Sequence, residues 1–151
     1  MTSDRSVDES DKWKYVLSLD EKYLLGGVLL SEWTTRIARD ADTAYRCGAN
    51  LAAILSAQAA VECHLRYEFA EHHVGSRLGF FDLIEQSPLS ADLKRDLHKL
   101  RRFRNKWVHV NDPRDDAELL EQPDANESEL ERTATETMEV LRKSLYLEQL
   151  I

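Results

Sequence analysis

Apolar residues recur at helical spacing in one segment of this chain after another. Leu30, Trp33, Ile37, Ala41 and Ala44 form one series, and Leu51, Ile54, Leu55, Leu65 and Phe69 form a second. Such a series puts its members on one face of a helix, and that face must be buried against another element. Composition agrees: Leu and Ala number 36, against 12 Val and Ile and eight Gly and Pro. That balance favours helix and leaves little for strands or turns. A length of 151 residues suits one domain with one core. Charged residues at 32% and apolar ones at 42% fit an ordinary globule rather than a disordered chain. No apolar run approaches the roughly 18 residues of a membrane span. The polar, charged stretch Met1 to Lys14 does not resemble a secretory signal. A cytoplasmic protein with no membrane partner is expected.

The punctuation divides the chain into helices. Residues 1–14 read as a flexible tail, and Ser18-Leu19-Asp20-Glu21 as a capping box that starts the first helix. Gly26-Gly27 should break it, and Arg46-Cys47-Gly48 should end the next. A long helix is expected from about Ala49 to His73, stopped at Gly75, and a short one from about Ser76 to Gln86. Ser90 is a good N-cap for a helix reaching about Val108, with Asp92 in its first turn. Asn111-Asp112-Pro113 terminates that helix, and an acidic connector follows, at about 111–125. The last helix should run from near Asn126, with Leu130, Ala134, Thr137, Leu141 and Leu145 inward. The fold class predicted is therefore all-α: an antiparallel bundle of four main helices plus one short helix, forming a single domain over 15–151.

The cysteines, Cys47 and Cys63, match no metal-binding spacing and suit free thiols in a reducing compartment. Cys63 and His64, with His72 and His73 nearby, could be assembled into a zinc cluster. Without a second spaced pair, core burial is the better reading, and no metal or cofactor is expected.

Two polar residues violate the apolar seams. With Leu93 at zero and about 100° per residue, Leu97, Leu100, Trp107 and Val108 fall within about 60° of it, and Arg104 falls at about 20°. On the preceding long helix, with Leu51 at zero, Glu62 also falls at about 20° and Gln58 at about 340°. A buried charge is costly unless paired, so Glu62 and Arg104 are expected to meet or to share partners.

The neighbours of Arg104 suggest chemistry. Asn105 and His109 are four apart and share one edge of the helix, and His109 lies at its end, where the ring can reach solvent. An arginine, an amide and a titratable imidazole suit a phosphodiester: imidazole can take a proton from a ribose hydroxyl or give one to a leaving oxygen, and guanidinium can stabilise charge on phosphate. Charge is distributed accordingly. Residues 91–110 hold seven Lys or Arg and two Asp, a net of +5, in a chain of net −8. Arg101, Arg102 and Lys106 of that ridge are candidates to contact RNA. Residues 111–139 hold 11 acids and two Arg, a net of −9, which argues against broad nonspecific binding. The acidic segment could instead fold over the ridge and screen it, or the ridge could face an acidic partner. Phe103 and Trp107 lie on or beside the apolar stripe and read as packing residues rather than base-stacking ones, and His98, on the opposite side, reads as solvated.

The stretch Leu100-Arg-Arg-Phe-Arg-Asn-Lys-Trp-Val-His109 resembles the signature of the HEPN superfamily, helical-bundle proteins named for higher eukaryotes and prokaryotes nucleotide-binding. That signature is an Arg, a polar residue that is often Asn, and a His after four to six intervening residues; here four intervene. The likeness extends back to about Trp33, through the Ala-rich run that ends at Val61-Glu62. Arg66 and His72 also fit the bare spacing, but Arg66 lies near the edge of its stripe and is followed by Tyr67. The resemblance implies a HEPN-like bundle and a metal-independent endoribonuclease. The catalytic groups, Arg104 and His109, would be supported by Asn105 and Glu62, in a composite site between two copies of a homodimer. It also implies a toxin or antiviral defence effector, with a cognate antitoxin or a larger defence complex as partner. Other members have lost catalysis and serve as binding or dimerisation modules, which is the alternative function here. The long acidic connector and the acidic overall charge depart from the common toxin members.

Overall fold

The computed structural model of the chain describes residues 2–70 and 78–151. The described residues form an all-α bundle: α1 (Thr2–Tyr23), α2 (Glu32–Arg46), α3 (Asn50–Phe69), α4 (Phe80–Gln86), α5 (Ala91–Val108), α6 (Ala117–Glu121) and α7 (Pro123–Leu145). One short ribbon, β1 (Gly27–Val28) against β2 (Gln149–Leu150), joins the end of α1 to the end of the chain, with Gly27 opposite Leu150 and Val28 opposite Gln149. Gly26 is required beside it, because a Cβ there would sit 2.3 Å from the Leu150 carbonyl oxygen. The Gln149 amide closes the corner. Its oxygen accepts from the Leu25 and Gly26 N–H groups at 2.8 and 2.9 Å, and its nitrogen donates to the Tyr23 and Tyr146 carbonyls at 2.8 and 2.9 Å.

The first helix differs most from expectation. It runs from Thr2 to Tyr23, so the helix does not start at Ser18. Ser18 Oγ donates back to the Tyr15 carbonyl at 2.6 Å instead of capping an N-terminus. Lys12, Val16, Leu19 and Tyr23 fall at helical spacing, and Val16 and Leu19 are core residues. Lys12 continues that stripe by burying its stem, with its ammonium 3.7 Å from both Asp8 and Glu131 and 5.2 Å from the centre of the Tyr45 ring. A lysine at the head of an apolar series hides the series from a reading based on hydrophobicity.

Cross-contacts give the directions. Lys12–Glu131, Tyr15–Thr135 and Lys22–Glu139 advance along α1 and α7 together, so these helices are parallel. Asp92 shares a groove with Tyr146 and Gln149, whereas Lys99 reaches Glu136, so α5 runs antiparallel to α7. The C-terminal end of α5 therefore lies at the end of the bundle where α7 begins. The helices α2 and α3 form a hairpin about Gly48, whose φ of 81° is the left-handed stop the sequence requires. Its open end is closed by Ser31, whose Oγ caps α2 through the Thr34 N–H at 3.1 Å and lies 3.9 Å from Cys63 Sγ.

Both hairpin helices are rotated from the expected faces. α2 buries Thr34, Ala41 and Tyr45, and leaves Trp33, expected inward, 77% exposed. α3 buries Ala53, Ile54, Ala57, Ala60, Val61 and Leu65, an arc from about 180° to 320° on the scale that sets Leu51 at zero. Leu51 and Phe69 lie at its edge, half-buried. Ala53, Ala57 and Ala60 share this fully buried face with Ile54, Val61 and Leu65, and the small side chains permit close helix approach. The expected stop at Gly75 and the expected start at Ser76 lie outside the described residues. On α7 the five expected inward residues are all buried, and α5 starts at its Ser90 cap as the sequence indicates.

A charged group at the centre ties three helices together. Arg142 of α7 is 3% exposed. Its guanidinium donates to both carboxylate oxygens of Asp42 on α2, at 2.7 and 2.6 Å, and to Asp20 on α1 at 3.2 Å. Burial opposes its charge, but the hydrogen bonds and charges of Asp42 and Asp20 outweigh it, so its pKa is raised. Tyr146 donates to Asp20 at 2.7 Å, and burial together with that carboxylate raises the phenol's pKa. Removing one partner of such a buried cation costs on the order of 3 kcal/mol. Asp42→Asn should lower unfolding stability in urea by about that amount, and the double variant Asp42→Asn, Arg142→Met should regain most of it. Equal stability of Asp42→Asn and wild type would contradict the assignment.

A second buried polar group is uncompensated. His64 on α3 is buried, neither ring nitrogen has a hydrogen-bond partner among the described residues, and burial pushes its pKa below the ordinary 6.5. The unfolded chain then binds the proton more readily than the folded one, so stability is full above about pH 6.5 and falls as pH drops below it. His64→Leu should flatten urea-unfolding stability between pH 7 and 5.5, where the carboxylates are not yet titrating. A wild-type stability that stays constant over that interval would refute this.

Candidate functional site

The helix α5 is positioned by a cap and a stripe. Ser90 Oγ accepts the Leu93 N–H at 3.1 Å, and Leu93, Leu97 and Leu100 enter the core in successive turns. Phe103 and Trp107 extend that stripe, partly buried against the core with ring centres 6.4 Å apart, so they pack as expected. Arg104 occupies the next place on the stripe and is half-buried. It makes no hydrogen bond or ion pair among the described residues.

The pairing expected between Arg104 and Glu62 is not present. Glu62 accepts from Arg66, one turn further along α3, at 3.1 Å, with both side chains 30% exposed. The reason is the rotation of α3: its buried arc is centred on the alanine face, so Glu62 sits on the rim and is neutralised within its own helix. The structure therefore does not bring Glu62 to Arg104. His72, the other half of the second arginine–histidine spacing, lies outside the described residues, as does the His72-His73 pair considered for zinc. Among the described residues no group of His, Cys, Asp or Glu could hold a metal ion.

Asn105 and His109 are held together as their spacing indicates. His109 caps α5, its backbone N–H donating to the Asn105 carbonyl at 2.9 Å, and its ring is exposed. The Asn105 side chain has no hydrogen bond, and exposed Arg102 and Lys106 form no ion pair, among the described residues. The last two turns of α5 thus present two unneutralised guanidinium groups, an ammonium, a free amide and an imidazole. The acidic connector does not cover them. Its contacts are local, Arg114 with Asp112 at 3.0 Å and Asn126 with the Glu118 and Gln122 carbonyls, and Leu119 and Leu120 of α6 face outward. Within the described residues no ion pair joins connector and ridge, so screening is not observed in this conformation.

Two grooves border the helix. One, of about 560 Å³ between α5 and α7, is lined by Lys99, Arg102 and Phe103 facing Glu129, Arg132 and Glu136. The other, of about 440 Å³, lies near Tyr23 and Tyr146. Arg102 lines the first, but Arg104, Asn105 and His109 line neither. These three lie on the C-terminal turns of α5, outside both grooves.

One cluster was not foreseen. His98, expected in solvent, has its side chain only 13% exposed. Its Nε2 lies 2.6 Å from Glu85 of α4, and its ring packs 4.9 Å from Phe81. Arg101 donates from Nε to His98 Nδ1 at 3.4 Å and lies 5.2 Å over the Phe81 ring. The missing signal was α4: a helix of seven residues covers a face of α5 that the periodicity of α5 alone assigns to water. Comparison with the sequence models of known families, with curated proteins and with solved structures returns no match.

Proposed function

We propose that this chain is a HEPN-type endoribonuclease that works as a homodimer, without a metal, as a toxin or defence effector acting in the cytoplasm. The observation that supports the reading is the unneutralised set at the end of α5. In a chain of net −8, Arg104, Arg102 and Lys106 have no hydrogen-bond or ion-pair partner among the described residues, and they share the last turns of α5 with the exposed His109. A phosphodiester supplies the charge this set lacks.

The reaction follows from the groups. A ribose 2′-hydroxyl attacks the adjacent phosphorus, the bond to the 5′-oxygen breaks, and a 2′,3′-cyclic phosphate and a 5′-hydroxyl result. His109 of one copy takes the proton from the attacking hydroxyl, and His109 of the second gives one to the departing oxygen. Arg104 stabilises the charge that builds on the phosphoryl oxygens, and Asn105 orients the linkage. The composite site of two copies belongs to this reading, and it agrees with Arg104, Asn105 and His109 lining neither groove beside α5. That same placement favours the second reading, a HEPN module that binds a protein or nucleotide without cutting.

The test is cleavage of mixed RNA by pure protein in EDTA. Wild type should cut, and His109→Ala and Arg104→Gln, folded by circular dichroism, should be slower by about 10²-fold or more. Folded wild type that leaves every RNA intact would favour the binding module.

A further inference from the structure

The face of α5 that carries Asn105 and His109 continues toward the start of the helix. On the scale with Leu93 at zero, Lys94, His98, Arg101 and Asn105 fall at about 100°, 140°, 80° and 120°, a single strip ending at the His109 cap. Phe81 stands beside the middle of that strip. Phe80, Leu83 and Ile84 of the same short helix are buried, yet the Phe81 ring is 51% exposed. Arg101 lies over the ring, and its one hydrogen bond among the described residues is to a ring nitrogen, His98 Nδ1, not to a carboxylate. Lys94 Nζ is bonded to the Glu85 carbonyl at 2.8 Å and also lacks a carboxylate partner. The Glu85 carboxylate is turned to His98. The result is a half-exposed aromatic ring, in contact with His98 and Arg101, beside two cations that have no carboxylate partner among the described residues.

We propose that Phe81 and Arg101 form a subsite for single-stranded RNA, Phe81 stacking one base and Arg101 holding an adjacent phosphate. This rests on the ribonuclease reading for its substrate and deepens it. An exposed aromatic ring stacks any base, and a cation beside it meets the backbone, which is the combination single strands require. Arg101 precedes His109 by eight residues, or about 12 Å along the helix axis. That spans three to four nucleotides of a stacked strand, at about 3.4 Å each. The subsite therefore selects RNA with an unpaired stretch reaching that far from the linkage cut at His109.

The experiment measures binding apart from cutting. A fluorescent single-stranded 2′-O-methyl RNA, which has no attacking hydroxyl, is titrated with the full-length protein, and cleavage of the matching RNA is assayed in parallel. Phe81→Ala should weaken binding roughly tenfold, and Phe81→Tyr should restore it, both checked for folding by thermal melting. Arg101→Gln should lower the salt dependence of binding by about one phosphate contact. Cleavage by wild type that Phe81→Ala leaves unchanged, with unchanged binding, would overturn the subsite and leave the ribonuclease standing. Binding that depends on Phe81 with no cleavage by wild type would support the subsite and sink the ribonuclease. No binding of the single strand by folded wild type, or equal capture of a polyglutamate peptide, would overturn the subsite.

Discussion

Arg142 is the constraint on which the bundle depends. A guanidinium removed from water is tolerated only where its charge and its donors are met, and Asp42 and Asp20 meet them from two other helices. The three helices cannot slide or rotate independently without leaving a buried cation unpaired. The pairing thus fixes the register of α1 and α2 on α7, and with it the floor against which α3 and α5 pack. Apolar packing supplies most of the burial, but it tolerates small shifts that a bidentate ion pair does not.

That frame explains the condition of α5. Its first three turns are anchored by buried leucines, whereas its last two are held by the partly buried Phe103 and Trp107, and Arg104 takes the next place on the stripe. Arg142 and Arg104 are thus opposite cases of one residue type on an apolar face. The first is saturated by acids and serves architecture. The second has no partner among the described residues and precedes by five residues a histidine open to solvent.

Much of the fold is legible in the sequence, and the failures have physical causes. Ser90 and Gly48 are read correctly because caps and left-handed stops are local chemistry. The inward face of α7 is read correctly because its stripe is made of residues that are apolar or small. The start of α1 is not, because Lys12 buries its stem and not its charge. The face of α3 is misjudged because large aliphatic residues outweigh alanines in a hydrophobicity count, although Ala53, Ala57 and Ala60 share the buried face. The Arg142 network is invisible in one dimension: its acids lie about a hundred residues away, among 28 candidates. At the candidate site, the placement of Arg104, Asn105 and His109 along one helix follows from their spacing, whereas the Glu62 pairing and the solvation of His98 depend on the neighbouring helices and are misjudged.

The central claim is that the end of α5 is where RNA meets this protein, through Arg104 and His109. Nuclear magnetic resonance of side-chain nitrogens, recorded during titration with a 2′-O-methyl RNA, tests it most directly. The account predicts that the His109 ring and the Arg104 Nε–H shift while the buried Arg142 guanidinium stays in place. Shifts confined to other surfaces, with Arg104 and His109 unmoved at saturation, would contradict it.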